Sequence, residues 1–349
     1  MPSLLREMNP SKRKFCTCTS SGDPHYHTFD GKWISFQGKC KYLLAQSKLK
    51  KGSKCNFKVT AKNEARGRTG RVSWTRFVDI SFHGINVRLH QRRRVFINGK
   101  RVRRLPISLY PGGKKIRIYH SGRNVVAESK YCGMHLQFNG QSVAELHLPR
   151  SRYASKVQGI CGNCNGNPSD DLKTRDGKDV SKLGIHGFVK IGQSFAVPDD
   201  SSKKYRCKVK PVLPPSKVCS AAMRKAVKSK KYCGMIIDKS GPFGSCLRSK
   251  KVDYSGIFEN CRFDVCEYKS PRNRRRAVCQ SLESLYNACL AAGFSVSWRS
   301  RSFCPMRCGP NAVYSQKASG CPRTCSDIGR RRVCRLPSRD ACVCKPGFV

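Results

Sequence analysis

Residues 16–38 read CTCTSSGDPHYHTFDGKWISFQG, and this stretch decides how the chain is interpreted. It joins two cysteines, an Asp-Pro bond flanked by Gly22 and His25, and a Thr-Phe-Asp-Gly turn that contains Asp30. A second stretch, GICGNCNGNPSDDL at residues 159–172, adds two more cysteines and a run of alternating asparagines. Together the two stretches raise two chemical questions, which are a calcium site and a self-cleaving peptide bond.

The composition indicates a secreted protein with more than one domain. The 349 residues are too many for one ordinary domain, so two or three are expected. Most of the 22 cysteines lie singly at wide spacings, and Cys161–Cys164 is the one clear CxxC pair. This pattern is typical of disulfides that form in an oxidising compartment, whereas zinc modules would need repeated CxxC pairs. We therefore expect an extracellular location.

The charge predicts a polyanionic partner. Lys and Arg number 70 against 21 Asp and Glu, which gives a formal net charge of +49. Nucleic acid is the usual partner of such a charge, but outside the cell heparan sulfate or another sulfated glycosaminoglycan is expected instead. A single basic run is ordinarily a solvated surface, whereas six runs in one chain favour binding. The candidate polyanion-binding residues are Arg92, Arg93, Arg94, Arg101, Arg103, Arg104, Lys114, Lys115, Arg274, Arg275 and Arg276.

The sequence contains neither a membrane span nor a signal peptide that can be recognised. No run of 18 apolar residues occurs, and the first 15 residues lack the apolar core that a signal peptide requires. We interpret the sequence as a fragment of a longer secreted chain.

The pattern along the chain predicts three domains. Short β-branched and aromatic runs between residues 57 and 148 favour an all-β antiparallel sandwich or barrel. Residues 219–304 carry apolar residues at helical spacing, so a small, mainly helical, disulfide-rich domain is expected. The last part is rich in Gly, Pro and Cys and has no periodicity, which indicates an irregular cysteine-rich module. The predicted bounds are an N-terminal tail or fragment edge at 1–15, a β domain at 16–207, a linker at 208–218, a helical domain at 219–304 and the cysteine-rich module at 305–349.

Several motifs carry a resemblance to a known family. GDPHYHTFDG, FQGKCKYLLA and CGNCNGNPSDDL resemble the von Willebrand factor type D domain. CGMIIDKSGPFGSC, FENCRFDVC and LYNACLAAGFSVSWRSRSFC resemble the eight-cysteine domain that follows it, and the last segment resembles a truncated trypsin-inhibitor-like module. Residues 61–81, AKNEARGRTGRVSWTRFVDIS, look most like BMP-binding endothelial regulator (crossveinless) and kielin/chordin-like proteins.

The resemblance also implies a disulfide pattern, with departures. The family often has a cysteine where this chain has Gln158, and an aromatic residue where it has Cys164. The pairing is therefore expected to be rewired around the additional Cys16. The pairs that the resemblance implies are Cys16–Cys164, Cys18–Cys161, Cys40–Cys207, Cys55–Cys132, Cys308–Cys342 and Cys321–Cys334.

The asparagine-rich loop is the candidate calcium site. Calcium prefers six to eight oxygen ligands, and the alternating side chains of this loop supply several oxygens close together. The alternative is an Asn/Asp/Gly-rich turn whose side chains only cap backbone groups. The resemblance adds Asp30 from the other end of the domain. The candidate calcium ligands are Asp30, Asn163, Asn165, Asn167, Asp170 and Asp171.

The Asp23-Pro24 bond is a candidate for self-cleavage. The Asp23 carboxyl group can attack its own carbonyl carbon, and the proline nitrogen is a good leaving group once it is protonated. Gly22 permits unusual backbone geometry, and His25 is a possible proton donor. Relatives with the same Gly-Asp-Pro-His sequence can undergo autoproteolysis, whereas the alternative is a plain turn.

No catalytic triad or zinc motif stands out, so the chain is not expected to be an enzyme. The favoured function is a calcium-bound extracellular binding module, the C-terminal region of a BMP-pathway modulator that anchors to heparan sulfate. Any BMP binding is expected in upstream modules. The alternative is a structural D-assembly of a mucin-like, zonadhesin-like or matrix protein.

Overall fold

Two β-sheets form the architecture of the first two hundred residues in a computed structural model. The structure describes residues 15–22, 24–66, 72–121, 123–199, 208–211, 219–319, 323 and 338–348. Their contacts divide the chain into one compact unit of residues 1–103, 107–117 and 127–212, and a second of 104–106, 118–126 and 213–349. The strands are β1 Phe15–Ser21, β2 His25–His27, β3 Trp33–Gly38, β4 Lys41–Ser47, β5 Phe57–Arg66, β6 Val72–Phe82, β7 Ile85–His90, β8 Arg94–Ile97, β9 Lys100–Val102, β10 Ile107–Leu109, β11 Ile116–Ser121, β12 Asn124–Ser129, β13 Met134–Phe138, β14 Ala144–Pro149, β15 Val157–Gln158, β16 Ala196–Val197, β17 Val209–Pro211, β18 Ala312–Ala318 and β19 Arg339–Cys344.

The strand order explains how distant parts of the sequence meet. One sheet runs β10-β11-β12-β13-β14-β1-β2-β3-β17, and the other runs β15-β4-β5-β6-β7-β8-β9, with β16 also pairing with β4. The first strand, β1, lies antiparallel to β14, and the register places Cys16 opposite Leu148 and Cys18 opposite Leu146. This long-range pairing brings the N-terminal strand next to the chain that leads into the asparagine-rich loop.

The core of the first unit lies between the inner faces of the two sheets. Alternate residues of the strands are buried, among them Ile34 and Phe36 on one sheet and Val78 and Ile80 on the other. Each such side chain contributes about 1.5–3 kcal/mol through burial of its apolar surface. Tyr26 is also buried, and its hydroxyl accepts a hydrogen bond of 3.0 Å from the side-chain amide of Asn63 on the other sheet.

The second unit contains short helices that disulfides hold together. The helix Tyr254–Glu267 begins after Asp253, whose carboxylate accepts hydrogen bonds from the backbone amides of Ser255 and Gly256. The disulfides here are Cys219–Cys266, Cys233–Cys261, Cys246–Cys289 and Cys279–Cys304, and Cys308–Cys342 joins the β18–β19 region. The α-helices of the described chain are Arg150–Tyr153, Gly184–Ser194, Ala221–Ala226, Gly244–Arg248, Tyr254–Glu267 and Pro271–Ala291.

A buried arginine connects the helices of the second unit to strand β19. The Arg299 guanidinium donates to Asp340 at 2.6 Å and lies 3.3 Å from Glu283, and it also donates to the carbonyl of Cys304. Burial raises the pKa of Asp340 and that of Tyr286, which reaches about 12. None of the described helices combines the length and the apolar character that crossing a membrane requires.

The observed architecture confirms the predicted fold class. The β-sheets come first, a helical disulfide-rich region follows, and a cysteine-rich region comes last. The described part of that last region contains one antiparallel pair, β18 and β19.

Candidate metal centre and basic surface

Two disulfides tie the N-terminal strand to the asparagine-rich loop. Cys16 is bonded to Cys164 and Cys18 to Cys161, as the resemblance implies. Alternating positions on β1 point to the same face of the sheet, so both sulfurs are directed at the loop. The turn after β2 is thereby held against residues 161–171.

The turn that contains Asp30 contacts this loop directly. Thr28 folds its own turn by accepting hydrogen bonds from the backbone amides of Gly31 and Lys32, at 3.2 and 2.8 Å. The same hydroxyl donates to Asp171 Oδ2 at 2.5 Å. In addition, the amide of Phe29 donates to the carbonyl of Cys161 at 2.9 Å. The two ends of the domain thus meet through polar contacts as well as through disulfides.

The three asparagines of the loop act mainly as turn caps. The Oδ1 atom of Asn163 accepts from the amide of Asn165 at 3.0 Å, and that of Asn165 accepts from the amide of Asn167 at 2.7 Å. Asn167 Oδ1 accepts in turn from the amide of Ser169 at 3.1 Å. These contacts correspond to the capping alternative, so the asparagine oxygens are already engaged in shaping the loop.

Asp30 also serves the loop backbone. Its Oδ1 and Oδ2 atoms accept hydrogen bonds from the amides of Gly166 and Asn165, at 2.7 and 3.0 Å. Arg150 Nη2 lies 3.4 Å from Oδ1. Burial nevertheless raises the pKa of Asp30, because these favourable contacts only partly replace the lost hydration.

Two carboxylate oxygens remain without partners. Asp170 Oδ1 and Asp171 Oδ1 are both buried and form no hydrogen bond. Burial, with the nearby charges of Asp30 and Asp170, raises the pKa of Asp171 to about 7, although the Thr28 hydroxyl opposes the shift. A buried, unsatisfied carboxylate oxygen is costly, and such oxygens are the ligands that calcium prefers.

The negative charge of the site favours a divalent cation, whereas the side chains alone do not form a full coordination shell. Asp30, Asp170 and Asp171 lie close enough for their charges to interact, and of the three only Asp30 is paired with the Arg150 guanidinium. When all three carboxylates are ionised, the four groups carry two net negative charges. Within the described residues, no group of three or more His, Cys, Asp and Glu side chains is arranged so that it could hold a metal ion. Calcium also accepts amide and carbonyl oxygens and water, so a site centred on Asp170 and Asp171 remains compatible with that finding.

The domain content of the chain is settled by comparison with known families. Profiles described as von Willebrand factor type D domain, C8 domain, and Trypsin Inhibitor like cysteine rich domain match residues 18–178, 232–305 and 308–349. The chain contains a von Willebrand factor type D domain. A C8 domain and a TIL domain follow it. The candidate metal centre lies within the matched part of the VWD domain. The two disulfides that hold β1 to the loop, Cys16–Cys164 and Cys18–Cys161, we call the double tether; the second lies within the match, whereas Cys16 lies just before it.

Known relatives match nearly the whole chain. Human zonadhesin is 33% identical over 336 residues, and mouse alpha-tectorin is 32% identical over 338 residues; each alignment covers 95% of this chain. Human IgGFc-binding protein is 30% identical over 344 residues, or 96% of the chain. The chain spans only 11%, 15% and 6% of the lengths of these relatives. None of the three is a BMP regulator, so the resemblance of residues 61–81 to such proteins is unsupported.

The predicted self-cleavage site is only partly visible. Asp23 lies outside the described residues. Gly22 has a positive φ of 63°, a conformation that favours glycine. His25 is buried, and its Nδ1 lies 2.8 Å from the Ser35 hydroxyl. Autoproteolysis therefore stays a prediction.

The remaining predicted disulfides divide into two groups. The structure bonds Cys55 to Cys132 and Cys308 to Cys342. The other two predicted pairs each include cysteines outside the described residues, namely Cys207, Cys321 and Cys334. Among the described cysteines, Cys344 is unpaired and exposed.

The predicted basic residues are divided between the two units. Arg92 and Arg93 are exposed in the turn before β8, and Arg101 and Arg103 are exposed at and just beyond the edge strand β9. Arg94, in contrast, lies 3.0 Å from His90 Nδ1 and is half-buried. Arg104, Arg274, Arg275 and Arg276 belong to the second unit.

Two of the arginines in the second unit donate hydrogen bonds to backbone carbonyls of that unit. Arg274 donates to the carbonyl of Tyr268 at 2.6 Å, and Arg275 donates to the carbonyl of Ser302. In the first unit, the exposed members of the predicted set are Arg92, Arg93, Arg101 and Arg103. We call these four residues the arginine edge.

Two residues of the candidate metal centre, Thr28 and Arg150, were not predicted from the sequence. Thr28 contacts Asp171, and Arg150 contacts Asp30. Gly162 has a φ of 79°, and a Cβ atom there would lie 2.0 Å from Asp171 Oδ1. Thr28 stands in the quoted Thr-Phe-Asp-Gly turn, which was a usable signal; for Arg150 the sequence offers none.

Proposed function

We propose that this chain is a calcium-stabilised structural module of a larger extracellular protein, without a catalytic role. The cysteine content and the VWD, C8 and TIL domains support an extracellular setting. Zonadhesin and alpha-tectorin support the structural alternative over a BMP modulator. The observation that carries the calcium proposal is the pair of buried, unpartnered oxygens of Asp170 and Asp171.

Calcium would act as a third link between the two ends of the VWD domain. Asp170 and Asp171 would hold it through their unpartnered oxygens, with further oxygens supplied by the loop backbone or by water, while Asp30 keeps the loop amides of Asn165 and Gly166 in place. The cation would offset the repulsion among three buried carboxylates, which otherwise opposes the Thr28–Asp171 and Asp30–Gly166 contacts. The double tether would then position the loop even when calcium is absent.

Chelation tests this proposal. The melting temperature and the protease resistance of the chain should fall when a calcium chelator is added, and both should recover when calcium is returned. Asp171→Asn should abolish the response. Asp176→Asn is the matched control, because Asp176 follows Asp171 by five residues, is exposed, and accepts a hydrogen bond from the Thr174 hydroxyl. An unchanged melting temperature and unchanged protease resistance on chelation would contradict the proposal.

A second role, binding of heparan sulfate or a similar sulfated glycosaminoglycan, is supported by charge. The net charge of +49 lacks any structural need in a folded core. The arginine edge adds exposed guanidinium groups, which suit bidentate contacts with sulfate oxygens. A BMP ligand gains no such support from the described residues or from the relatives.

The second role is tested on a heparin column. The chain should elute only at high salt, and neutralising Arg92, Arg93 and Arg101 together should lower the salt needed. Lys173, Lys178 and Lys182 provide a control with the same loss of charge, because they are exposed beside Asp176 and Asp179. Elution of the unaltered chain at low salt would remove the glycosaminoglycan role.

A further inference from the structure

Two lysines in the first unit each cover an exposed tyrosine ring. Lys114 Nζ lies 4.7 Å from the centroid of Tyr131, and Lys115 Nζ lies 5.6 Å from that of Tyr110. Both distances are within the range of cation–π attraction. Tyr131 and Tyr110 are 50% and 60% exposed, so both rings are accessible to a ligand. We call these four residues the lysine–tyrosine cluster.

The cluster is held by tight turns. The amide of Gly113 donates to the carbonyl of Tyr110 at 3.2 Å, which closes the turn that separates β10 from the two lysines. Tyr131 lies in a second turn, and the next residue, Cys132, is anchored by its disulfide to Cys55. The rings and ammonium groups are therefore displayed from constrained backbone.

The polar groups of the cluster are unoccupied. Among the described residues, neither lysine pairs with a carboxylate and neither tyrosine hydroxyl has a hydrogen-bond partner. Other lysines, such as Lys41 with Asp79 and Lys230 with Asp238, do form ion pairs. Each pair thus combines a free ammonium group, a phenol hydroxyl and an exposed tyrosine ring, and the two lysines are adjacent in the chain.

We propose that the lysine–tyrosine cluster recognises the pyranose rings of a sulfated glycosaminoglycan, and does more than attract its charge. Tyrosine rings offer flat apolar surfaces for the C–H faces of a sugar, while the adjacent ammonium groups bind its sulfate or carboxylate groups. A ligand with charge but no sugar would use only the lysines. This inference rests on the second role proposed above, and it adds that the cluster contacts the sugar rings of the ligand.

The test compares two polyanions on the full chain in calcium-containing buffer near about 150 mM salt. One is a short heparin oligosaccharide, and the other is inorganic polyphosphate of matched charge, which has no sugar. Replacing Tyr110 and Tyr131 together by Leu should weaken heparin binding roughly tenfold, because two cation–π supported ring contacts are lost. Polyphosphate binding should change by less than about twofold, since both lysines remain.

A matched control comes from the second unit. Tyr232→Leu removes a tyrosine that also lies near a lysine, Lys231, at 5.9 Å, but beside the ion-paired Lys230. It should leave binding of both polyanions unchanged, and melting curves should show that every variant is folded.

The outcomes separate this inference from the role on which it rests. Equal loss of both polyanions in the double Tyr variant, or no loss of either, would overturn the inference and leave the second role standing. Failure of the unaltered chain to bind heparin would remove the second role itself. Tighter binding to phosphatidylserine vesicles than to heparin would also overturn the inference, because it would identify a lipid surface as the partner.

Discussion

The double tether predicts that the two N-terminal disulfides are strongly redundant. The bonds Cys16–Cys164 and Cys18–Cys161 close loops with sequence separations of 148 and 143, which are almost the same loop. The first bond to form removes about 5 kcal/mol of chain entropy from the unfolded state at 25 °C. Once it is present, the second closes a ring of only about seven residues, which is worth about 2 kcal/mol.

Replacing either pair by alanine should therefore lower the free energy of unfolding by only about 2 kcal/mol. Removing both pairs should cost about 7 kcal/mol, well above the sum of the two single losses. The assay is denaturant unfolding at fixed calcium, with each pair replaced alone and then together.

Cys55–Cys132 provides the control. Its separation of 77 predicts a loss of about 4.5 kcal/mol, and that loss should add to the loss from either tether pair. If the two tether pairs contribute additively, or if one pair alone costs about 5 kcal/mol, the reasoning about a shared loop is refuted.

Four further predictions concern separate features. Gly162→Ala should impair calcium binding, because its Cβ would meet Asp171 and its φ of 79° is strained for alanine; calorimetry checks this. In chelator, the free energy of unfolding should fall as the pH rises from 3.8 to about 7, because folding raises the pKa of Asp171 over that range and so disfavours its charged form. A melting temperature that rises with pH over this range would contradict the prediction. Arg299→Met should cost about 3–5 kcal/mol by leaving Asp340 as an unpaired buried charge, and Asp340→Asn should recover part of that loss. Mild acid should yield two bands only after reduction if the bond at 23–24 is cleaved, and a single band under reducing conditions would contradict this.

The sequence predicted the β domain well because its strands alternate. Runs such as VDISF and INVRLH place every second residue in the core, and these coincide with β6 and β7. The helix Gly184–Ser194 was missed because glycine weakens the local signal. The glycines of this helix are explained by how it packs against β3, because Gly192 lies so close to Phe36 that a Cβ atom would be 2.9 Å from the ring. That contact depends on tertiary structure.

The calcium site stays a prediction, and the structure differs from the sequence interpretation in what the asparagines do. Asp30 and the loop carboxylates could be found from their motifs, whereas the asparagines were predicted as ligands and cap the turn. The difference lies in hydrogen bonds between residues two apart, which compete locally with metal binding. Arg150 could not be predicted, because its approach to Asp30 depends on the pairing of β1 with β14.

Calcium titration of the full chain, with and without Asp171→Asn, tests the central claim most directly. One calcium ion should bind per unaltered chain and per Asp176→Asn control, and none should bind to Asp171→Asn. The order of stability should also reverse: in chelator Asp171→Asn should melt above the unaltered chain, because it removes a buried carboxylate whose pKa is raised to about 7. In calcium it should melt below. Equal calcium binding by Asp171→Asn, or no calcium binding by the unaltered chain, would contradict the account.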